Sequence, residues 1–251
     1  MNIMFFLSVA LICLLMFMAG AIWWLRKRQF LKWTVFGLGL AGFIVGSRIL
    51  ESILHYFVLH PSPSGQIPLM QNKPLLYVLY AIATAAVFEE TTRLILFKIL
   101  KRKRHLNFAD ALSYGAGHGG AELLLVGGAQ MIGLMVIFAM PHALRAGAGY
   151  EMVLKSVTAT TLILGVFERI VAFAAQLCLS IWVCAGVSNG KLRYYGWALL
   201  FHALFDLPAA LSQVGFLPLW TVEVLLVLSF VLLVYLTKRF ILEKGRLSYG
   251  N

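Results

Sequence analysis

The chain has 251 residues, of which 61% are hydrophobic and only 12% charged, and its mean hydropathy is +0.87. The polar surface needed to cover a water-soluble globule is missing, which excludes a soluble enzyme or binding module and indicates an all-α polytopic membrane bundle. A spanning helix needs about 20 apolar residues, so the breaks leave room for about seven or eight transmembrane helices in a single integral membrane domain, residues 1–251. The 21 Lys and Arg outnumber the 10 Asp and Glu, for a net charge of +11. These basic residues lie between apolar runs, so they read as topology signals rather than a nucleic-acid footprint. Cys13, Cys178 and Cys184 sit inside apolar segments and form no motif pair. They read as small hydrophobes rather than disulfide or thiolate-zinc partners.

The first apolar run, Ile3 to Leu25, is followed at once by Arg26, Lys27 and Arg28, the reverse of a secretory signal's polarity, and is expected to stay as a helix with its N-terminus outside. The second runs from Trp33 to Leu59, before the Pro61–Gly65 turn. The third covers residues 75–100, before the basic block Lys101 to Arg104. Residues 106–140 are too long for one simple span and contain six glycines between Gly115 and Gly128, which predicts a kinked, broken or closely packed helix. Met152 to Val187, residues 194–212 and Leu219 to Leu236 complete the set. Fifteen Lys and Arg fall in the proposed inner segments, whereas the outer loops hold only Lys73, Arg145 and Lys155. That asymmetry predicts a cytoplasmic C-terminus and seven crossings, any eighth segment being re-entrant or broken.

Arg48, Arg93 and Arg169 lie within spans, as do Glu51, Glu89, Glu90, Glu122, Glu168, His55, His118, His202 and Asp206. A charged residue at a helix centre costs about 2.5 to 3.5 kcal/mol on insertion scales, so these groups are expected to face one another or a wet cavity. In Phe88-Glu89-Glu90-Thr91-Thr92-Arg93 the spacing of four puts Glu89 and Arg93 on one face and predicts that Arg93 holds Glu89, while Glu90 points about 100° away. Such a carboxylate can orient and deprotonate water. A buried pair that merely fixes helix packing is the plainer alternative.

Tyr114-Gly-Ala-Gly-His118-Gly-Gly-Ala-Glu122 places a histidine and a glutamate four apart among glycines that permit close approach. His202-Ala-Leu-Phe-Asp206 repeats the spacing, and histidine with carboxylate at i, i+4 also suits a metal. Each of Glu89, His118 and Asp206 lies twelve residues, roughly 18 Å, along its helix from the inner end, so the three are expected at one depth. Glu168-Arg169 lies farther out and reads as structural or gating. Arg48, Glu51 and His55 form a stripe at i, i+3, i+7 that could pair with it.

The ordered set Glu89-Glu90-x-x-Arg93, Gly117-His118-Gly119-x-x-Glu122 and His202-x-x-x-Asp206 resembles the YhfC family of bacterial membrane proteins, related to the CAAX-prenyl endopeptidase and bacteriocin-processing (CPBP) enzymes and more remotely to PrsW proteases. In the CAAX-protease relatives the first motif carries one more residue before the arginine, so the shorter spacing here points to YhfC. The resemblance implies an intramembrane endopeptidase in the bacterial cytoplasmic membrane. Glu89 would be the general base, positioned by Glu90 and Arg93; His118 would help hold water or substrate, and His202 with Asp206 would stabilise the oxyanion.

The reading is therefore a glutamic-type peptidase that needs no cofactor and acts on a membrane-embedded or membrane-associated peptide or prenylated-like substrate, with membrane lipids as its surroundings. Its enzymatic rival is a zinc peptidase with His118, Glu122 and His202 as ligands and Glu89 as base. Outside enzymes, the same groups would suit a cation or proton transporter, against which the lack of an inverted repeat weighs, or a silent membrane scaffold.

Overall fold

The computed structural model describes residues 3–62, 66–140 and 156–248, and every regular element among them is helical. Arg145, Lys155, residues 63–65 of the expected turn and the first residues of the run from Met152 lie outside the described residues. Six helices are long and apolar enough to cross a membrane: α1 (Ile3–Lys27), α2 (Trp33–Leu59), α3 (Pro74–Lys101), α4 (Phe108–Ala139), α5 (Ala159–Ser188) and α7 (Leu219–Leu242). Between the last two, α6 (Arg193–Gln213) has 21 residues and thus a spanning length of about 30 Å. Its polar content sets it apart from the other six. A short helix, Pro68–Asn72, precedes α3.

The expected boundaries match local chemistry. Pro74 opens α3, where its missing N–H costs nothing. A reciprocal capping box starts α4: Asn107 Oδ1 accepts from the Asp110 amide at 3.1 Å, and Asp110 Oδ2 accepts from the Asn107 amide at 3.0 Å. Thr158 and Thr161 do the same for α5. The long fourth run does not break. It continues through one i→i+5 segment, Leu123–Gly128, as α2 does through Ile44–Glu51. Such π-type insertions shift the helical register locally.

Helix α5 is the axis of the bundle. Its apolar stretch is 78% buried, against 22–33% for the five other spans, and it packs on α1, α3, α4, α6 and α7. The first half of α4 is buried on almost every side from Ala109 to Ala121, because its glycines let neighbours reach its backbone. A Cβ on Gly117 would stand 1.9 Å from the Phe36 carbonyl oxygen of α2, and one on Gly39 of α2 would stand 2.1 Å from the Tyr114 carbonyl oxygen. The two backbones are therefore in direct contact, as small-residue helix pairs in membranes are.

The basic segments gather at one end of the bundle. Lys32 Nζ bonds Asn107 and Asp110 at 2.9 and 3.0 Å, Arg104 also pairs with Asp110, and Lys101 Nζ donates to the Val187 carbonyl at 2.6 Å. The Asn189 side chain donates to the Arg246 carbonyl at 2.6 Å, and the Phe108 amide to the Ser248 carbonyl at 2.7 Å. We place that end at the cytoplasm on the positive-inside bias. Two outcomes follow. A cysteine introduced at Arg102 is expected to react only from the cytoplasmic side and one at Gln66 only from outside, the reverse pattern refuting this orientation. Gly117→Ala is expected to destabilise the protein by about 1–3 kcal/mol in a detergent melt, because its steric partner is backbone rather than a movable side chain; a melt equal to wild type would contradict the close crossing.

Candidate active site

The acidic pair of α3 divides its partners. Arg93 Nη1 donates to Glu90 Oε1 at 2.5 Å, and its Nη2 donates to Gln176 Oε1 on α5. The expectation that Arg93 grips Glu89 is thus corrected: the i, i+3 partner wins because the guanidinium turns toward α5, its centre 5.9 Å from the Tyr114 ring, whereas Glu89 faces α4 and α6. Glu90 and Arg93 are both wholly buried. A buried charge pair persists only when further hydrogen bonds support it; here Gln176 and His202 supply two, while Arg93 Nε and Glu90 Oε2 are buried without a partner among the described residues.

Glu89 is the meeting point of three helices. His118 Nε2 of α4 lies 2.8 Å from Glu89 Oε2, Gln176 Nε2 of α5 donates to the same oxygen at 3.1 Å, and His202 Nε2 of α6 stands 3.7 Å away. His202 Nδ1 lies 2.8 Å from Glu90 Oε1, and Asp206 Oδ2 is 3.4 Å from His202 Nε2. The structure therefore brings Glu89, Glu90, Arg93, His118, His202 and Asp206 into one cluster. Glycines flank His118 on both sides, and this is what lets its ring sit wholly buried between α2 and α3, edge-on to Phe43 with centroids 5.2 Å apart.

Glu122 joins the cluster from the far side of Gln176. The Gln176 amide donates to Glu122 Oε2 at 2.8 Å, and Arg169 Nη1 donates to Glu122 Oε1 at 3.1 Å. Arg169 also pairs with Glu168. Glu168 and Arg169 are thus continuous with the site rather than a separate outer network, and their expected partnership with the α2 stripe does not form. The π-type segment ending at Glu51 takes residues three apart off a common line. Arg48 is exposed, while Glu51 bonds Ser47 at 2.9 Å and sits 3.4 Å from His55, which in turn reaches Tyr80 at 2.9 Å.

A cavity of about 340 Å³ opens beside the cluster, and Glu122, Glu168, Arg169, Gln176, His202 and Asp206 line it, with Glu51 and His55 across from them. Glu90, Arg93 and His118 do not reach it; they are sealed behind the wall, and Glu89 keeps 7% of its side chain exposed. Of the seven residues singled out from the sequence, three line the cavity and four stand behind it. Gln176 was missed, although a lone amide in the middle of an apolar span is a detectable signal. Glu223 was missed as well: it is buried on α7 with neither carboxylate oxygen hydrogen-bonded.

Among the described residues, no three His, Cys, Asp or Glu side chains form a ready-made coordination sphere, yet the donor chemistry here suits a divalent ion. Glu90, paired with Arg93, lies 2.8 Å from His202 Nδ1, so a neutral His202 that donates from Nδ1 would turn the lone pair of Nε2 to the cavity side, the arrangement by which a carboxylate orients a metal-binding histidine. Its separations of 3.4 and 3.7 Å from Asp206 Oδ2 and Glu89 Oε2 are near the ~3.4 Å between two donors sharing one tetrahedral zinc with bonds of about 2.0–2.1 Å. Glu122 fits poorly as a ligand, because both of its oxygens are already engaged. His118 also fits poorly, because its Nε2 hydrogen is spent on Glu89 and its Nδ1 is buried without a partner. The set His118, Glu122 and His202 is not gathered into one coordination sphere among the described residues.

Removing Arg93 would strand the Glu90 charge in the interior. Arg93→Met is expected to lower stability by about 3–5 kcal/mol, whereas Glu168→Gln, at the partly exposed rim, should change it by no more than about 1 kcal/mol. Melting curves of the two purified variants check this, and an Arg93→Met protein as stable as wild type would show that the pair is not needed to hold the bundle.

The chain is similar to known proteins along most of its length. A family model described as YhfC intramembrane metalloprotease matches residues 11–227, a stretch that contains every residue of the cluster. The chain is 32% identical over 232 residues to an uncharacterized membrane protein YhfC of Bacillus subtilis (strain 168), covering 86% of this chain and 88% of that protein. No solved structure matches it. A helical membrane chain matched along most of its length, with carboxylates and histidines from three helices meeting beside an internal cavity, belongs to the YhfC family of intramembrane metalloproteases.

Proposed function

We propose that the protein is a metal-dependent endopeptidase that hydrolyses a peptide bond of a membrane-embedded or membrane-associated substrate inside this cavity. The observation that carries the reading is the Glu90–His202 contact of 2.8 Å at Nδ1, with His202 Nε2 facing Asp206 and Glu89 at 3.4 and 3.7 Å. His202 and Asp206 would hold the ion, with Glu89 adjacent. A divalent metal bound there supplies an acidified water and polarises the scissile carbonyl. The family's description as metalloproteases supports this over the cofactor-free mechanism expected from the sequence.

The chain's own residues carry the remaining roles. Glu89 takes the proton of the attacking water at its carboxylate, and His118 and Gln176, both bonded to Oε2, hold that carboxylate in place. Glu90, held by Arg93, orients His202. A neutral His202 presents a lone pair rather than an N–H to the cavity, which moves it from the expected oxyanion role to a ligand role. The cavity volume of about 340 Å³ admits a few side chains rather than a folded domain.

Metal analysis of purified protein and cleavage of co-reconstituted membrane peptides, followed by mass spectrometry, test the assignment together. His202→Ala is expected to lose both bound metal and cleavage. Glu89→Gln is expected to retain metal while cleavage falls by about 10²-fold or more, as loss of a general base does. Loss of metal from Glu89→Gln would make Glu89 a ligand and overturn its role as base. Cleavage that survives a strong chelator would return the mechanism to a glutamate acting without metal.

A further inference from the structure

A second cavity, about 350 Å³ in volume, lies at the basic end of the bundle between the start of α6 and the end of α7, and it shares no lining residue with the first. Arg193, Lys244 and Arg246 converge on it. Among the described residues, the carboxylates at this end are engaged elsewhere: Asp110 by Lys32 and Arg104, Glu243 by Arg239. The three cavity cations are left against aromatic rings. The guanidinium groups of Arg193 and Arg246 lie 5.4 and 5.3 Å from the centre of the Tyr194 ring, and Lys244 Nζ lies 5.2 Å from that of Phe240.

Tyr194 supplies a second and independent sign of a ligand. Its side chain lines the cavity, the residue is only 2% exposed, and its hydroxyl is buried without a hydrogen-bond partner. A buried polar atom of this kind is uncommon in native structures and calls for a partner. The neighbouring Trp182 needs none, since its indole N–H donates to Thr237 Oγ1 at 2.8 Å. The cavity therefore offers three cations unneutralised by carboxylates, with an unpartnered hydroxyl buried in its Tyr194 wall, a set of donors that phosphate oxygens match best. Its remaining wall is apolar and runs onto the lipid-facing surface, where Trp197 is 48% and Phe240 40% exposed.

We propose that this cavity binds an anionic phospholipid of the cytoplasmic leaflet, its phosphodiester among Arg193, Lys244, Arg246 and the Tyr194 hydroxyl and its acyl chains along Trp197, Phe201 and Phe240. Basic pockets between helices at the cytoplasmic boundary are suited to anionic headgroups, and tryptophan favours the same depth. A free phosphate ion would use the cations and leave the aromatic flank without a role, which favours the lipid. A bound lipid would brace α6, the helix that carries His202 and Asp206, against α7.

The test is native mass spectrometry of the full-length protein released from vesicles containing equal phosphatidylglycerol and phosphatidylcholine. Wild type is expected to retain phosphatidylglycerol preferentially, and millimolar inorganic phosphate should not displace it. Each of Arg193→Gln, Lys244→Gln and Arg246→Gln should weaken retention roughly fivefold, and the triple variant roughly a hundredfold, as expected for cations near an anionic surface. Arg193→Lys should keep most of it. Arg193 and Lys244 are exposed, so their single variants should fold and report even if the triple variant does not. Equal retention of the two lipids by wild type, or undiminished phosphatidylglycerol on the folded single variants, would overturn the proposal. Displacement by inorganic phosphate would overturn it too, as the mark of a phosphate-ion site.

Discussion

The constraint on which this molecule depends is the burial of Arg93. A guanidinium with no solvent contact in an apolar bundle must be neutralised, or its helix would not remain in place. Glu90 supplies the charge and the Gln176 carbonyl oxygen a second acceptor. Once these two are committed, the rest of the cluster has little freedom. The amide group of Gln176 must point the other way, toward Glu89 and Glu122, and the Glu90 oxygen that accepts from Arg93 also meets His202 Nδ1 at 2.8 Å. Three helices are thereby fixed in rotation about their own axes by one residue that itself does not reach the cavity.

Close packing makes this geometry accessible. The glycine contacts between α2 and α4 remove side-chain thickness from one crossing, so His118 is carried to within 2.8 Å of Glu89. A larger residue at 117 would separate the backbones and draw the imidazole away from its partner. Glycines in α4 therefore act on the chemistry through distance: they place a histidine. The π-type segments of α2 and α4 act through angle, shifting register where Glu51 and Glu122 turn toward the cavity.

Much of this was legible in the sequence because membrane burial makes polar residues conspicuous. The helices, their ends near basic blocks and the meeting of Glu89, His118, His202 and Asp206 follow from hydropathy, spacing and depth. What spacing could not show is which of two allowed helical neighbours a side chain chooses. Arg93 can reach either Glu89 or Glu90 along its own helix, and the choice is made by Gln176, eighty-three residues away. The α2 stripe failed for a related reason: counting by three and four assumes α geometry, and Ile44–Glu51 does not keep it. Glu168 and Arg169 were set apart by counting from one end of a long helix, although Glu122 on the adjacent helix lies within reach of Arg169.

Gln176 also explains how so many carboxylates coexist. Traced through contacts, Glu168 meets Arg169, Arg169 meets Glu122, Gln176 separates Glu122 from Glu89, and Arg93 links Gln176 to Glu90 and thence to His202 and Asp206. A cation, an amide or an imidazole stands between one acid and the next along this path. Like charges brought together at low dielectric repel strongly, and a glutamate at 176 would place three carboxylates in succession while presenting an acceptor where two donors are needed. A lysine there would supply donors and no acceptor for Arg93. Only an amide both accepts from the arginine and donates to two acids, so the neutral residue at the centre of the most buried helix lets an arginine and two carboxyl groups share one side chain.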